Sequence, residues 1–288
     1  MKDIVYLMRP HQWIKNFFIF TPLFFSFSFN QENIIETIIA FILFSILASS
    51  VYVLNDILDK EDDKKHPTKR YRPIASGKVN VKFASIIFGI LSFISLLVAF
   101  LENINFFFIL VIYFILNIFY SLKLKHIVLV DIFVIATGFV LRVFAGSIII
   151  DINPSMWIVL ITFLLATFLA LAKRRDDVLL SNLGEKTRKN IDGYNLEFIN
   201  ASMVLMAAVV IISYVLYTVT PTIIQKLGSE YVYITSFFVI LGILRYMQIT
   251  FVEENSGSPT QIVLKDKFLQ LTIILWLMSF YLIRIMFS

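Results

Sequence analysis

Residues 34–63 read IIETIIAFILFSILASSVYVLNDILDKEDD. Positions 34–54 hold a single charge, Glu36, whereas the nine that follow hold five acids, Asp56, Asp59, Glu61, Asp62 and Asp63. About 20 apolar residues are what a helix needs to cross a hydrocarbon layer of about 30 Å. The segment therefore predicts a membrane span that runs straight into an acidic end. The whole chain agrees, with 288 residues, 59% hydrophobic, 16% charged, 30 Phe and a mean hydropathy of +0.84. Soluble domains run nearer 45–50% apolar and about 25% charged. A soluble fold is excluded, and the absence of cysteine removes disulfides, thiolate metal sites and cysteine nucleophiles as well.

Outward from this segment, apolar runs recur at about 17–29, 34–54, 83–101, 104–120, 127–150, 155–172, 200–220, 231–251 and 268–287. The expectation is an all-α membrane protein of nine spans, a single unit over 1–288. The first run is the shortest and carries Pro22, with Arg9, Trp13 and Lys15 ahead of it as an interfacial anchor. Counted along alternate connections, 22 of the 25 Lys and Arg lie on the side of the N-terminus, against Lys226 and Arg284 on the other, with Arg142 inside a span. The positive-inside rule then places the N-terminus in the cytoplasm and the C-terminus outside an inner or plasma membrane. The net charge of +5 is thus mostly a topology signal and not a nucleic-acid footprint. Two inner connections are long and charged, 55–82 and 173–199. They are expected to cap the working face, since the outer connections are too short to hold a site.

If the second helix continues past residue 54, Asp56, Asp59 and Asp63 fall on one face, with Asn55 beside Asp59. Carboxylates at a helix C-terminal end oppose the macrodipole and repel one another, so helix stability would not select them. A hard divalent cation resolves the conflict, and Mg²⁺ suits a site that offers a few carboxylates to a substrate's phosphate oxygens. The alternative is a solvated helix end neutralised by Lys60, Lys64 and Lys65. In the same loop Lys69, Arg70 and Arg72 sit among Pro67, Pro73 and Gly77, a basic strap able to hold phosphate. Further candidates for phosphate contact are Lys15, Tyr120, Lys125, Asp131, Arg142, Lys173, Arg174 and Arg175. Asp131 and Arg142 are eleven residues apart, so they share a helix face and about 16 Å of depth. An ionisable residue inside a span is costly and points to a partner or a cavity. Ser258-Pro259-Thr260-Gln261 fits a capping box that starts the last helical segment.

Together these residues resemble the UbiA superfamily of intramembrane prenyltransferases. Asn55, Asp56, Asp59 and Asp63 match its N-D-x-x-D-x-x-x-D motif position by position, and the second charged loop follows the sixth run as it does there. Within the superfamily the sequence is most similar to the decaprenyl-phosphate phosphoribosyltransferase branch. That similarity rests on Arg9 to Asn16, the Lys69 to Gly77 strap, Tyr120 to Lys125 with Asp131, Lys173 to Arg175, and Gly257-Ser258-Pro259 with Lys265-Asp266. The resemblance implies a helical bundle whose central cavity opens to the cytoplasm, Mg²⁺ on Asp56, Asp59 and Asp63, and transfer of 5-phosphoribose from phosphoribosyl diphosphate to a polyprenyl phosphate for envelope polysaccharide precursors. Partners would be those two substrates and membrane lipids, without nucleic acid; assembly of several copies is left open. One departure bears on the substrate. The superfamily's second D-x-x-x-D motif is replaced by adjacent Asp176 and Asp177 with Leu180 beyond, which argues against an ordinary prenyl diphosphate donor. The rivals are a prenyl-diphosphate transferase, a transporter and a non-catalytic scaffold.

Overall fold

The structure is a computed structural model that describes residues 2–66, 68–183, 191–254 and 257–287. Among the described residues there are helices and turns but no strand. A short helix α1 (Lys2–Met8) leads into a 3₁₀ helix, Pro10–Phe20, and α2 (Thr21–Ser26). Then come α3 (Gln31–Leu58), α4 (Lys60–Lys64), α5 (Val81–Glu102), α6 (Ile104–Leu122) and α7 (Val130–Ile149). These elements form one compact unit, residues 1–155 with 180–191. The second unit, 156–179 with 192–288, holds most of α8 (Met156–Asn182) and all of α9 (Leu196–Thr218), α10 (Pro221–Leu227), α11 (Ser236–Phe251), α12 (Pro259–Lys265) and α13 (Lys267–Phe287).

Eight helical segments among the described residues are long and apolar enough to cross a membrane, and they match the second through ninth sequence runs. The first run is built differently. A 3₁₀ helix rises about 2.0 Å per residue, so its eleven residues and the six of α2 extend about 31 Å. Side chains three apart eclipse in such a helix, and its buried edge follows that period. Trp13 Nε1 donates to Ser49 Oγ at 3.0 Å, Asn16 Nδ2 donates to Ser45 Oγ at 2.8 Å, and Ile19 is fully buried. The Ile19 carbonyl lies where a Cβ on residue 146 would be, so only Gly146 lets α7 come this close.

In the first unit α3 and α7 are the most buried spans, while α5 and α6 expose broad apolar faces. Apolar surface gains little by leaving lipid for a helix interface, so small residues and interhelical hydrogen bonds carry the packing. Ser92 Oγ donates to Ser50 Oγ at 3.0 Å, and Ser95 Oγ donates to the Leu43 carbonyl at 2.7 Å, joining α5 to α3.

Three sequence expectations change. The second helix does not run unbroken through its acids: α3 ends at Leu58 and Asp59 caps it before α4 restarts. The sixth apolar run was expected to end near 172, yet α8 continues to Asn182, because no Gly or Pro intervenes and Arg174, Arg175 and Val178 are buried. Ser258 does sit at the N-cap of α12 with Pro259 first in the helix, but its side chain makes no capping hydrogen bond. Pro67 of the strap and Lys186, Arg188 and Lys189 of the second loop lie outside the described residues.

Candidate active site

Asp56 closes α3 with 2% of its surface exposed. Its Oδ1 accepts from Arg9 Nη2 and, at 3.1 Å, from Arg72 Nη1. That Arg72 nitrogen also donates to Asp63 Oδ2 at 2.7 Å. Asp56 and Asp63 are therefore drawn to one cationic centre. Asp59 stands apart from them: as the C-cap between α3 and α4 it turns to Lys125 Nζ, with Asn55 Nδ2 donating to its other oxygen at 3.0 Å. The expected row of three carboxylates is thus divided two and one, because the helix steps at Asp59 and each part has its own cation.

The residues can be tested against Mg²⁺ by their chemistry. Among the described residues no three His, Asp or Glu side chains are grouped as a metal set. Two carboxylates converging on the place of one guanidinium nitrogen are nonetheless enough, since Mg²⁺ commonly takes one or two from the protein and completes its shell with water and phosphate oxygens. Asp56 and Asp63 fit that requirement.

Of the strap, Arg72 bridges to the acids. Arg70 is exposed and donates from Nη2 to Tyr71 Oη at 2.8 Å, and Lys69 is half-buried. The strap's fold places Arg72: a 3₁₀ turn over Lys69–Tyr71 precedes it, and its carbonyl accepts from Ser76 N at 2.9 Å. Arg9 was not among the expected phosphate ligands. It has left-handed backbone geometry (φ 52°) at the break after α1, and its guanidinium lies 5.2 Å over the Tyr52 ring. The signal available in the sequence was Arg9-Pro10 immediately before an apolar run, where a chain break is due.

Deeper in the same unit Arg142 is 5% exposed. Its Nε donates to Asn16 Oδ1 at 2.7 Å, Nη1 to the Gly138 carbonyl at 2.6 Å and Nη2 to Tyr113 Oη at 3.3 Å. The rings of Phe44, Tyr113 and Phe139 surround it at 4.8–5.3 Å. Asn16 and Tyr113, like Arg9, were not among the expected site residues. Lys15 lies close enough to feel the charges of Arg142 and Arg9. Asp131 is fully buried in the first turn of α7, where an acid suits the helix dipole.

In the second unit Arg174 is fully buried and pairs with Asp177 one turn on. Arg175 ties three helices together, donating to Asn200 Oδ1 at 3.0 Å and to the Thr250 carbonyl at 2.7 Å. Two of its donors thus serve the fold. Lys173 is half-buried. The backbone at Gly257 packs on Asp176: a Cβ there would stand 2.5 Å from Asp176 Oδ2.

A family model described as the UbiA prenyltransferase family matches residues 17–272. The chain belongs to the UbiA prenyltransferase family. Among its UbiA-family relatives, a protein of Mycolicibacterium smegmatis named decaprenyl-phosphate phosphoribosyltransferase is 29% identical over 96% of this chain and 91% of its own length. A protein of the same name from Corynebacterium glutamicum is 32% identical over 93% and 82%, and one from Mycobacterium tuberculosis 30% over 95% and 91%. The UbiA fold is also seen in solved structures. A UbiA homolog from Archaeoglobus fulgidus bound to GPP and Mg²⁺ superposes with a TM-score of 0.71 at 18% identity, covering 98% of this chain and 99% of that one. The apo UbiA homolog from Aeropyrum pernix gives 0.62 at 13%, covering 99% and 98%.

Proposed function

We propose that this chain transfers 5-phosphoribose from phosphoribosyl diphosphate to a polyprenyl phosphate, releasing diphosphate and supplying precursors for envelope polysaccharide. The observation that carries this reading is the Asp56–Arg72–Asp63 centre, in a family whose relatives of the stated name match nearly end to end. A face of carboxylates and guanidinium groups suits a diphosphate brought with a divalent cation.

Magnesium, when bound, would supply charge neutralisation for the leaving diphosphate. Asp56 and Asp63 would hold it, with Asp59 oriented by Asn55 at the edge of the site. Arg9 and Arg72, released from those carboxylates, would then turn to phosphate oxygens, for which a guanidinium fork is well shaped. Lys69, Arg70, Tyr120 and Lys125 are further contacts in this reading. The ribose C1–O bond to diphosphate breaks as an oxygen of the lipid phosphate bonds to C1 from the opposite side. No protein base is needed, because a phosphate monoester is already ionised at neutral pH. The demand on the protein is to bring two anions together, and preorganised cations meet it. The Lys and Arg asymmetry supports nine spans, counting the 3₁₀ and α2 segment, with this face and the N-terminus in the cytoplasm.

Purified protein given Mg²⁺, phosphoribosyl diphosphate and decaprenyl phosphate should form a phosphoribosyl lipid. Product only with a prenyl diphosphate and an aromatic or lipid acceptor would overturn the choice of donor. Asp56→Asn should abolish nearly all turnover while leaving the protein folded; wild-type rates in that variant would end the assignment of the carboxylate face.

A further inference from the structure

Arg9, Arg72 and Lys125 each meet a carboxylate. Among the described residues, Lys15 and Arg142 meet none. All three of Arg142's hydrogen bonds go to neutral acceptors, an amide, a backbone carbonyl and a phenol. A guanidinium has five N–H groups, so two remain for a ligand. Lys15, carried on the 3₁₀ helix next to Asn16, makes no hydrogen bond or ion pair to any described protein group. It is half-buried, and the charges of Arg142 and Arg9 both bear on its ammonium. Arg142 Nε is held by Asn16, the residue next to Lys15, so the two cations share one neighbourhood, and cations in a weakly polar interior are costly without an anion.

We propose that Lys15 and Arg142 form a phosphate-monoester subsite, separate from the carboxylate face that takes diphosphate. A monoester carries close to two negative charges at neutral pH, which matches two uncompensated cations, whereas a carboxylate would leave one of them unmet. The inference rests on the proposed function for its two sources of that group, the ribose 5-phosphate of the donor and the phosphate of the lipid acceptor. Asn16 and Tyr113 are positioning residues here: they fix the guanidinium by its Nε and Nη2 and leave its remaining donors free to turn to the ligand.

The test is thermal unfolding of the detergent-solubilised full chain with ribose 5-phosphate, decaprenyl monophosphate or uncharged decaprenol. The wild type should be stabilised by at least one monophosphate and not by decaprenol; Lys15→Gln should lose that shift and Lys15→Arg keep it. In turnover, Lys15→Gln should raise KM about tenfold or more for the same substrate and leave the other KM within about twofold. Stabilisation by ribose 5-phosphate assigns the subsite to the donor, and stabilisation by decaprenyl monophosphate assigns it to the acceptor. Should Lys15→Gln fail to fold, Tyr113→Phe removes one hydroxyl from the same subsite and should weaken the same shift. No shift from either monophosphate in the wild type, or shifts unchanged in Lys15→Gln and Tyr113→Phe, would overturn the subsite. Because ligand shifts need no turnover, they stand even if no phosphoribosyl lipid forms, and the two readings fail separately.

Discussion

One nitrogen of Arg72 serves two carboxylates, and this makes Arg72 the residue on which the acidic face balances. Removing it leaves Asp56 with Arg9 alone and Asp63 with no cation at hydrogen-bonding distance among the described residues. Breaking a buried pair on one side costs about 3–5 kcal/mol; the Arg72 side chain is 20% exposed, so we expect Arg72→Ala to cost about 2–3 kcal/mol, read as a fall in melting temperature. Adding Asp63→Asn should restore part of that loss, since the second change removes the stranded charge. An additive double variant would mean that the two side chains do not interact. Asp56, Asp59 and Asp63 could be picked out from spacing alone. Their division into two and one could not, because it depends on Lys125, 66 positions along the chain, and on Arg9, 47 positions before Asp56.

At the scale of elements, the segment 10–26 shows most clearly what residue counting misses. Eight spans are evident as apolar runs of ordinary length. The first looks too short because about 1.5 Å per residue is assumed, yet a 3₁₀ helix covers the distance with fewer residues. Its period of three could be seen in Trp13, Asn16 and Ile19 only once their partners, Ser49, Ser45 and Gly146, were in place. Gly146→Ala tests this packing. A methyl group would press on the Ile19 carbonyl, which as backbone cannot swing aside, so the helix must move off α7. Overpacking of this kind costs about 1–3 kcal/mol. The variant should melt several degrees lower, with Ser147→Ala next to it as a control that changes little. A neutral Gly146→Ala would show that the 3₁₀ segment is not held against α7.

For the molecule as a whole, the number of spans decides where the chain ends. Eight would return the C-terminus to the side of the N-terminus, and nine would separate them. The chain has no cysteine, so single-cysteine variants can be labelled without background. Ser76→Cys in the strap should react with an impermeant maleimide only from the cytoplasmic side, and Glu102→Cys, between α5 and α6, only from outside. The reverse pattern, Ser76 from outside and Glu102 from the cytoplasm, would refute the proposed orientation, and labelling of both from one side would refute a crossing by α5. The fold class was legible because a dense apolar pattern leaves few alternatives, and the family through the resemblance of its Asn55, Asp56, Asp59 and Asp63 motif and the segments matched beside it. The coupling of Asp176 to Gly257 was not, since the two are distant in sequence and Gly257 has no side chain to advertise the contact. The carboxylate face, finally, is electroneutral, with Asp56, Asp59 and Asp63 set against Arg9, Arg72 and Lys125. Ligands that enter such a face exchange partners and do not accumulate on a bare charge. Ion pairs this far buried are screened much less than exposed ones, so the pairs of Arg72 with Asp56 and Asp63 should persist at ionic strengths that dissolve the exposed Lys64–Glu61 pair.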